Sequence, residues 1–193
     1  MAKIISISTK KGDEGESYLA NGKKFPKDDL IFEVLGNIDE LNSHIGLVVA
    51  QLRATVIGEK DFLVTELESV QSNLYLLNGI LAQAPKVNFS KTKLAKIEAL
   101  GDELQKKMAE GWTTKFLYPG GSSIGAHLDI ARSVCRRCER NLVSYSRYQQ
   151  ETKDTVKVKP IVLQYINRLS DFLFILSCFV NLQFGVVEKQ FSK

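Results

Sequence analysis

The strongest constraint in this sequence is a pattern of apolar residues recurring in alternating steps of three and four. It runs through Ile31, Leu35, Ile38, Leu41, Ile45, Val48 and Leu52, and again through Leu63, Leu67, Val70, Leu74, Leu77 and Leu81. Such steps keep side chains on one face of an α-helix, so each run predicts an amphipathic helix that must bury its stripe. A weaker run of Leu94, Ile97, Leu104 and Met108 follows Ser90 and is expected to close at Gly111. A fourth helix is expected from Ser122-Ser123 to about Tyr148, with Leu128, Ala131, Cys135, Cys138, Leu142 and Tyr145 inward. A fifth opens at Pro160 and carries Val162, Tyr165, Leu169, Leu173, Leu176 and Val180. Pro85, the Pro119-Gly120-Gly121 turn and a polar loop from Gln149 to Lys159 separate the runs. Strand signals are confined to Ile5-Ser6-Ile7-Ser8. The predicted fold is all-α, a five-helix bundle in one domain over residues 1–193, with an extended segment at 1–26, the bundle at 27–185 and a tail at 186–193.

Composition removes several classes. At 44% hydrophobic and 25% charged over 193 residues, the chain is that of a globular protein able to bury a core. The apolar stretch from Phe172 to Val187 carries Asn181 and Gln183 and is short for a bilayer span, so it reads as a buried helix. The N-terminus lacks the apolar core of a secretory signal and the arginines of a transit peptide, and a cytoplasmic location is expected, with no membrane partner. Three cysteines cannot all pair within one chain. A net charge of +4 suits an anionic ligand. It is too diffuse to argue for nucleic acid, and no aromatic reading surface accompanies the arginines.

Two segments carry residue types suited to phosphate. The loop Thr9-Lys10-Lys11-Gly12-Asp13-Glu14-Gly15-Glu16-Ser17 offers glycine-exposed backbone N–H groups beside lysines, yet lacks the ending of a Walker loop. By itself it reads more readily as a solvated turn than as a site. On the fourth helix, Arg132, Arg136 and Glu139 share one stripe bordering the apolar face, with Arg137 and Arg140 turned further outward. Two guanidiniums a turn apart can grip a polyphosphate, and the same spacing also describes a surface ion-pair ladder. Cys135 and Cys138 have redox or zinc spacing, but their mid-helix place on the apolar stripe assigns them to the core. No set of residues reads as a protein metal site. Asp39 and Asn42 lie beside the first helix's stripe, Asp39 either facing water or pairing with the fourth helix's arginines. Phe174 and Cys178 fall opposite the last helix's core stripe, near Asn167 and Asp171, which suggests a second packing surface.

Together these segments resemble the PduO-type ATP:cob(I)alamin adenosyltransferase family. Four blocks carry the resemblance: Thr9 to Ser17; Lys27 to Leu47, with Gly-Asn-Ile-Asp-Glu-Leu-Asn-Ser; Phe116 to Arg140, from Phe-Leu-Tyr-Pro-Gly-Gly-Ser to the Ala-Arg-Ser-Val-Cys-Arg-Arg-Cys-Glu-Arg run; and Tyr165 to Phe174. They follow the family's order over nearly the whole chain. The resemblance implies a homotrimeric five-helix bundle that makes adenosylcobalamin and triphosphate from ATP and cob(I)alamin at subunit interfaces. It also implies Mg²⁺ among the phosphates, a flavoprotein reductase and an adenosylcobalamin-dependent enzyme as partners. By motif, Thr9, Lys10, Lys11, Gly12, Asp13, Gly15, Ser17 and Lys27 would contact ATP. Arg132 and Arg136 would hold the nucleotide, Glu139 and Asn167 would line its site, Asp39 would pair with Arg132 across the interface, and Phe116 would face the corrinoid. The chain departs from the family pattern at Lys10, Lys11, Ser17, Asp129 and Cys178, where arginine, threonine, threonine, histidine and arginine are usual. A non-catalytic trimeric carrier of adenosylcobalamin, or an ATP-responsive regulator, is the alternative on the same scaffold.

Overall fold

In the computed structural model the described residues are 10, 12–108, 110–112, 116–151 and 158–191. The Ile5–Ser8 stretch and the site residues Thr9 and Lys11 lie outside them. Five helices follow a short hairpin: β1 Glu16–Tyr18, β2 Lys24–Pro26, α1 Leu30–Arg53, α2 Lys60–Leu81, α3 Lys91–Lys106, α4 Ser123–Glu151 and α5 Pro160–Gln183. Each start has a local cause. Asp29 accepts the Ile31 N–H at 3.0 Å to cap α1, Ser122 Oγ accepts the Gly125 N–H at 3.0 Å to cap α4, and Pro160 begins α5 where a missing N–H costs nothing.

The helices pack as a sequence of neighbours, α2 on α1, α1 on α4, α4 on α5 and α5 on α3. Ion pairs from Lys96 to Glu66 and from Lys107 to Glu59 join α3 back to the α2 end of the ring. The predicted stripes form the core: Leu41, Ile45, Leu52, Leu67, Leu74, Leu128, Leu142, Leu169 and Leu173 are fully buried. Each such side chain contributes roughly 1.5–3 kcal/mol against exposure. α5 is long and apolar enough to cross a membrane, yet Val162, Tyr165, Leu169, Leu173, Leu176 and Val180 are spent on this core.

Several boundaries differ from expectation. The antiparallel hairpin β1–β2, with Ser17 opposite Phe25, gives no alternation in the sequence because each strand has only three residues. α3 stops before Met108, as the N–H groups of Lys107 and Met108 turn back to Leu104 and Gln105 and tighten its last turn. α4 runs through the expected loop start to Glu151, because Gln149 is buried and its side chain accepts the Val158 N–H at 3.0 Å. Cys178, expected on the outer face of α5, is 5% exposed, covered on the side where Glu188 of the C-terminal tail approaches it.

Candidate functional site

The predicted residues form two clusters. The first precedes α1. Gly15 takes φ +80°, a conformation that favours glycine, and its carbonyl accepts the Lys27 N–H at 2.8 Å. That bond folds the loop onto Lys27, and a Cβ added at Gly12 would meet the Lys27 ammonium at 2.9 Å. Lys10, Asp13, Gly15 and Lys27 are exposed, and Ser17 is held in β1 beside the Glu16–Lys24 ion pair. The Lys27 ammonium therefore lies against the Gly12 backbone on an exposed surface.

The second cluster lies along the seam of α4 and α5. Arg132 and Arg136 open onto one cleft of about 390 Å³ with Gln105, Trp112, Asp171 and Phe174. Trp112 stacks on Phe174 with centroids 6.0 Å apart, and the Arg132 guanidinium lies 5.9 Å from the Phe174 centroid. One turn further along α4, Glu139 accepts a 2.8 Å hydrogen bond from Asn167 on α5, which orients both side chains along the same seam. The outward Arg137 of the sequence reading is corrected: it is half-buried against α1, donating to Asn37 Oδ1 at 2.7 Å and pairing with Glu40. Arg136 is the exposed one, because α1 supplies acceptors to the Arg137 side of α4 only.

Within one chain the clusters do not meet. α1 and α4 run antiparallel, with Asn141 against Glu33, Arg137 against Glu40 and His127 against Gln51. The loop before α1 thus sits beyond the Asn141 end of α4, whereas Arg132 is nine residues back, roughly 13 Å of helix, and faces α5. Among the described residues no hydrogen bond or ion pair joins Lys10–Lys27 to Arg132, Arg136, Glu139 or Asn167. Asp39 is exposed on α1 and, among the described residues, has no ion pair, while Arg132 has Asp129 at 3.6 Å. Phe116 is 84% exposed. The segment behind it is tied down by the tail: Phe191 N–H donates to the Phe116 carbonyl at 2.8 Å, and Tyr118 N–H to that of Lys189 at 2.9 Å.

The cobalamin adenosyltransferase family matches residues 7–180, which include both clusters and the Phe116 segment between them. The chain belongs to the cobalamin adenosyltransferase family. It is 33% identical over 201 residues to the corrinoid adenosyltransferase of Bacillus subtilis, covering 98% of this chain and 93% of that protein. To the corrinoid adenosyltransferase of Homo sapiens it is 31% identical over 199 residues, covering 99% of this chain and 75% of the relative. A solved structure of a variant PduO-type ATP:corrinoid adenosyltransferase from Lactobacillus reuteri, complexed with cobalamin and ATP, superposes with a TM-score of 0.84 at 25% identity, covering 97% of this chain and 100% of that one.

This adenosyltransferase chain also uses residues that sequence reasoning passed over. Trp112 forms the far wall of the cleft, and its sole signal was being the one tryptophan, in a loop. Asn181 holds the turn after Phe116, donating to the Gly120 carbonyl at 3.0 Å and accepting from Ser122 N–H at 2.9 Å and Ser122 Oγ at 2.8 Å. Its separation of about sixty residues from that turn left no local signal. Cys135 and Cys138 are fully buried, as the stripe required. Burial pushes the Cys138 thiol up to about 12 and the Cys135 thiol well above its ordinary value, which keeps both in the unreactive thiol form.

Proposed function

We propose that this chain transfers the 5′-deoxyadenosyl group of ATP to cob(I)alamin, with the Lys10–Lys27 loop of one copy completing the α4/α5 cleft of a second. The observation that carries the reading is the opening of Arg132 and Arg136, one helical turn apart, onto a single aromatic-walled cleft in a member of this family. Each half alone can neutralise only part of a triphosphate, and the halves face different ways. A second copy brings loop, Lys27 and Asp39 to the partner's arginines, and a closed ring of three satisfies every such surface. The Lactobacillus reuteri relative is complexed with cobalamin and ATP, the two ligand types that this reading requires.

In the reaction the Co(I) electron pair attacks the ribose C5′ carbon. The Co–C bond forms as the C5′–O bond breaks, and triphosphate leaves with that bond's electrons. The hard chemistry is the corrinoid's. The chain's residues align the carbon with cobalt, and Arg132, Arg136 and Lys27 stabilise charge gathering on the leaving triphosphate. Glu139, fixed by Asn167, presents a carboxylate to a nucleotide hydroxyl, and Phe116 covers the lower face of the corrinoid. Among the described residues no group of three or more histidine, cysteine, aspartate or glutamate side chains is placed to hold a metal ion. A magnesium ion bound with the triphosphate would supply charge neutralisation beside Arg132, Arg136 and Lys27.

The deciding experiment is an anaerobic single turnover with chemically reduced cob(I)alamin and Mg²⁺-ATP, following adenosylcobalamin and triphosphate together. Stoichiometric appearance of both is expected. Saturable binding of ATP or cobalamin without conversion would replace the enzyme with a carrier or sensor.

A further inference from the structure

Asp129 on α4 has no part in the chemistry above, yet it is a well enclosed carboxylate near the site, with its side chain 12% exposed. Its Oδ2 accepts the Gly120 N–H at 3.0 Å, and its Oδ1 faces Arg132 Nε at 3.6 Å, an ion-pair rather than a hydrogen-bond distance. Arg132 Nε is buried with no hydrogen-bond acceptor, and among the described residues no carboxylate other than that of Asp129 comes within ion-pair range of Arg132. Gly120 belongs to the turn that closes the Phe116 segment. Its N–H goes to Asp129 and its carbonyl to Asn181, so the turn is anchored from α4 and α5 at once. One carboxylate thus touches the Phe116 segment with one oxygen and a cleft arginine with the other.

We propose that Asp129 is a positioning residue that sets the nucleotide-binding arginine Arg132 and the corrinoid-facing Phe116 segment together. The inference rests on the roles given to Arg132 and Phe116 above. The holding form is the carboxylate, since a neutral acid keeps no charge attraction for Arg132. Facing it are Arg132 from α4, Cys178 from α5, Glu188 from the tail and the Gly120 N–H from the turn. Burial is the largest influence and raises the Asp129 carboxyl above the usual aspartate value. Glu188 pushes the same way, while the Gly120 N–H and Arg132 oppose it. The charge attraction of Asp129 for Arg132 is therefore present at neutral pH and lost as pH falls through a value above that of an ordinary aspartate; the Asp39 carboxylate proposed to reach Arg132 from a second copy does not depend on it.

Trp112, the one tryptophan, stacks on the ring that carries Arg132, so its fluorescence reads cleft occupancy without turnover. The experiment measures the ATP Kd by Trp112 fluorescence, and KM for ATP and for cob(I)alamin, against pH in wild type, Asp129→Asn and Arg132→Ala. Asp129→Asn is expected to raise the ATP Kd and KM roughly tenfold, the scale of one charge-assisted contact. It should raise KM for cob(I)alamin as well and flatten the acid limb of wild-type ATP binding. Protonation of ATP itself is common to all three proteins and cancels in the comparison. A folded Asp129→Asn protein with wild-type values and an unchanged limb overturns the proposal. If that variant does not fold, Arg132→Ala serves: losing the same limb supports the link, and keeping all of it overturns it. A wild type that binds ATP but makes no adenosylcobalamin sinks the proposed reaction, while the ATP-binding arm still decides whether Asp129 sets Arg132.

Discussion

The two clusters proposed to face phosphate are built by opposite means. Arg132 and Arg136 stand on α4, whose inner face is locked by Leu128, Ala131, Cys135 and Cys138, and on their far side Phe174 is fixed by the α5 core. The loop before α1 hangs on a hairpin of three-residue strands, held by buried Leu19, by Phe25 against the core, by the Ala20 N–H donating to the Ala82 carbonyl at 3.0 Å, and by a bond from Lys27 to Gly15. The helical half is pre-organised, as the proposed role at the leaving triphosphate requires. Among the described residues the loop half has few buried contacts, which places it toward the low-stability end of the molecule.

This contrast can be broken from either side. The largest effect is expected at the helical half: Arg136→Ala should lower kcat by roughly a hundredfold or more while leaving assembly and melting temperature unchanged, since the side chain is exposed. Steady-state kinetics with size-exclusion chromatography check this, and wild-type kinetics would remove Arg136 from the site. At the loop half, Lys27→Ala should raise KM for ATP by about tenfold with kcat and KM for cob(I)alamin nearly kept, the signature of lost uniform binding. A loss confined to kcat would show the loop to be as pre-organised as the helices. The scaffold itself is tested at Gly125, where an added Cβ would lie 2.2 Å from Asn181 Oδ1. Gly125→Ala is expected to cost about 1–3 kcal/mol in urea unfolding, whereas Gly22→Ala, at φ +83° with open space around it, carries backbone strain of about 1 kcal/mol only. The smallest effect is chemical. Cys135, Cys138 and Cys178 should resist iodoacetamide at pH 8 in the native protein and all react in denaturant, because burial raises each thiol well above that pH. Native labelling at Cys178 alone would show the tail lifting from α5.

Much of the helical half was legible in order along the chain. The three-and-four spacing that marks α4 also places Arg132, Arg136 and Glu139 on one edge, so a local pattern carried both the scaffold and the residues it presents. Asp29, Ser122 and Pro160 marked helix starts because a cap acts within three residues of itself. The partners of those residues were another matter. Whether Arg136 or Arg137 meets α1 depends on the rotation of α4 against it, and Glu40 with Asn37 decided in favour of Arg137. The hairpin escaped because three-residue strands show no period, and Cys178 was placed outside because helical geometry cannot foresee a tail folding back.

By itself, then, the sequence determined five helices, their buried faces and the family blocks along the chain, since each is written in spacing shorter than a few turns. Only the tertiary structure decided that Trp112 closes the arginine cleft, that Asn181 and Asp129 pin one turn from two helices, and that the loop sits beyond one end of α4, apart from Arg132. Those contacts join residues up to about sixty positions apart, and nothing in local periodicity reports which distant side chain a packed helix will bring alongside.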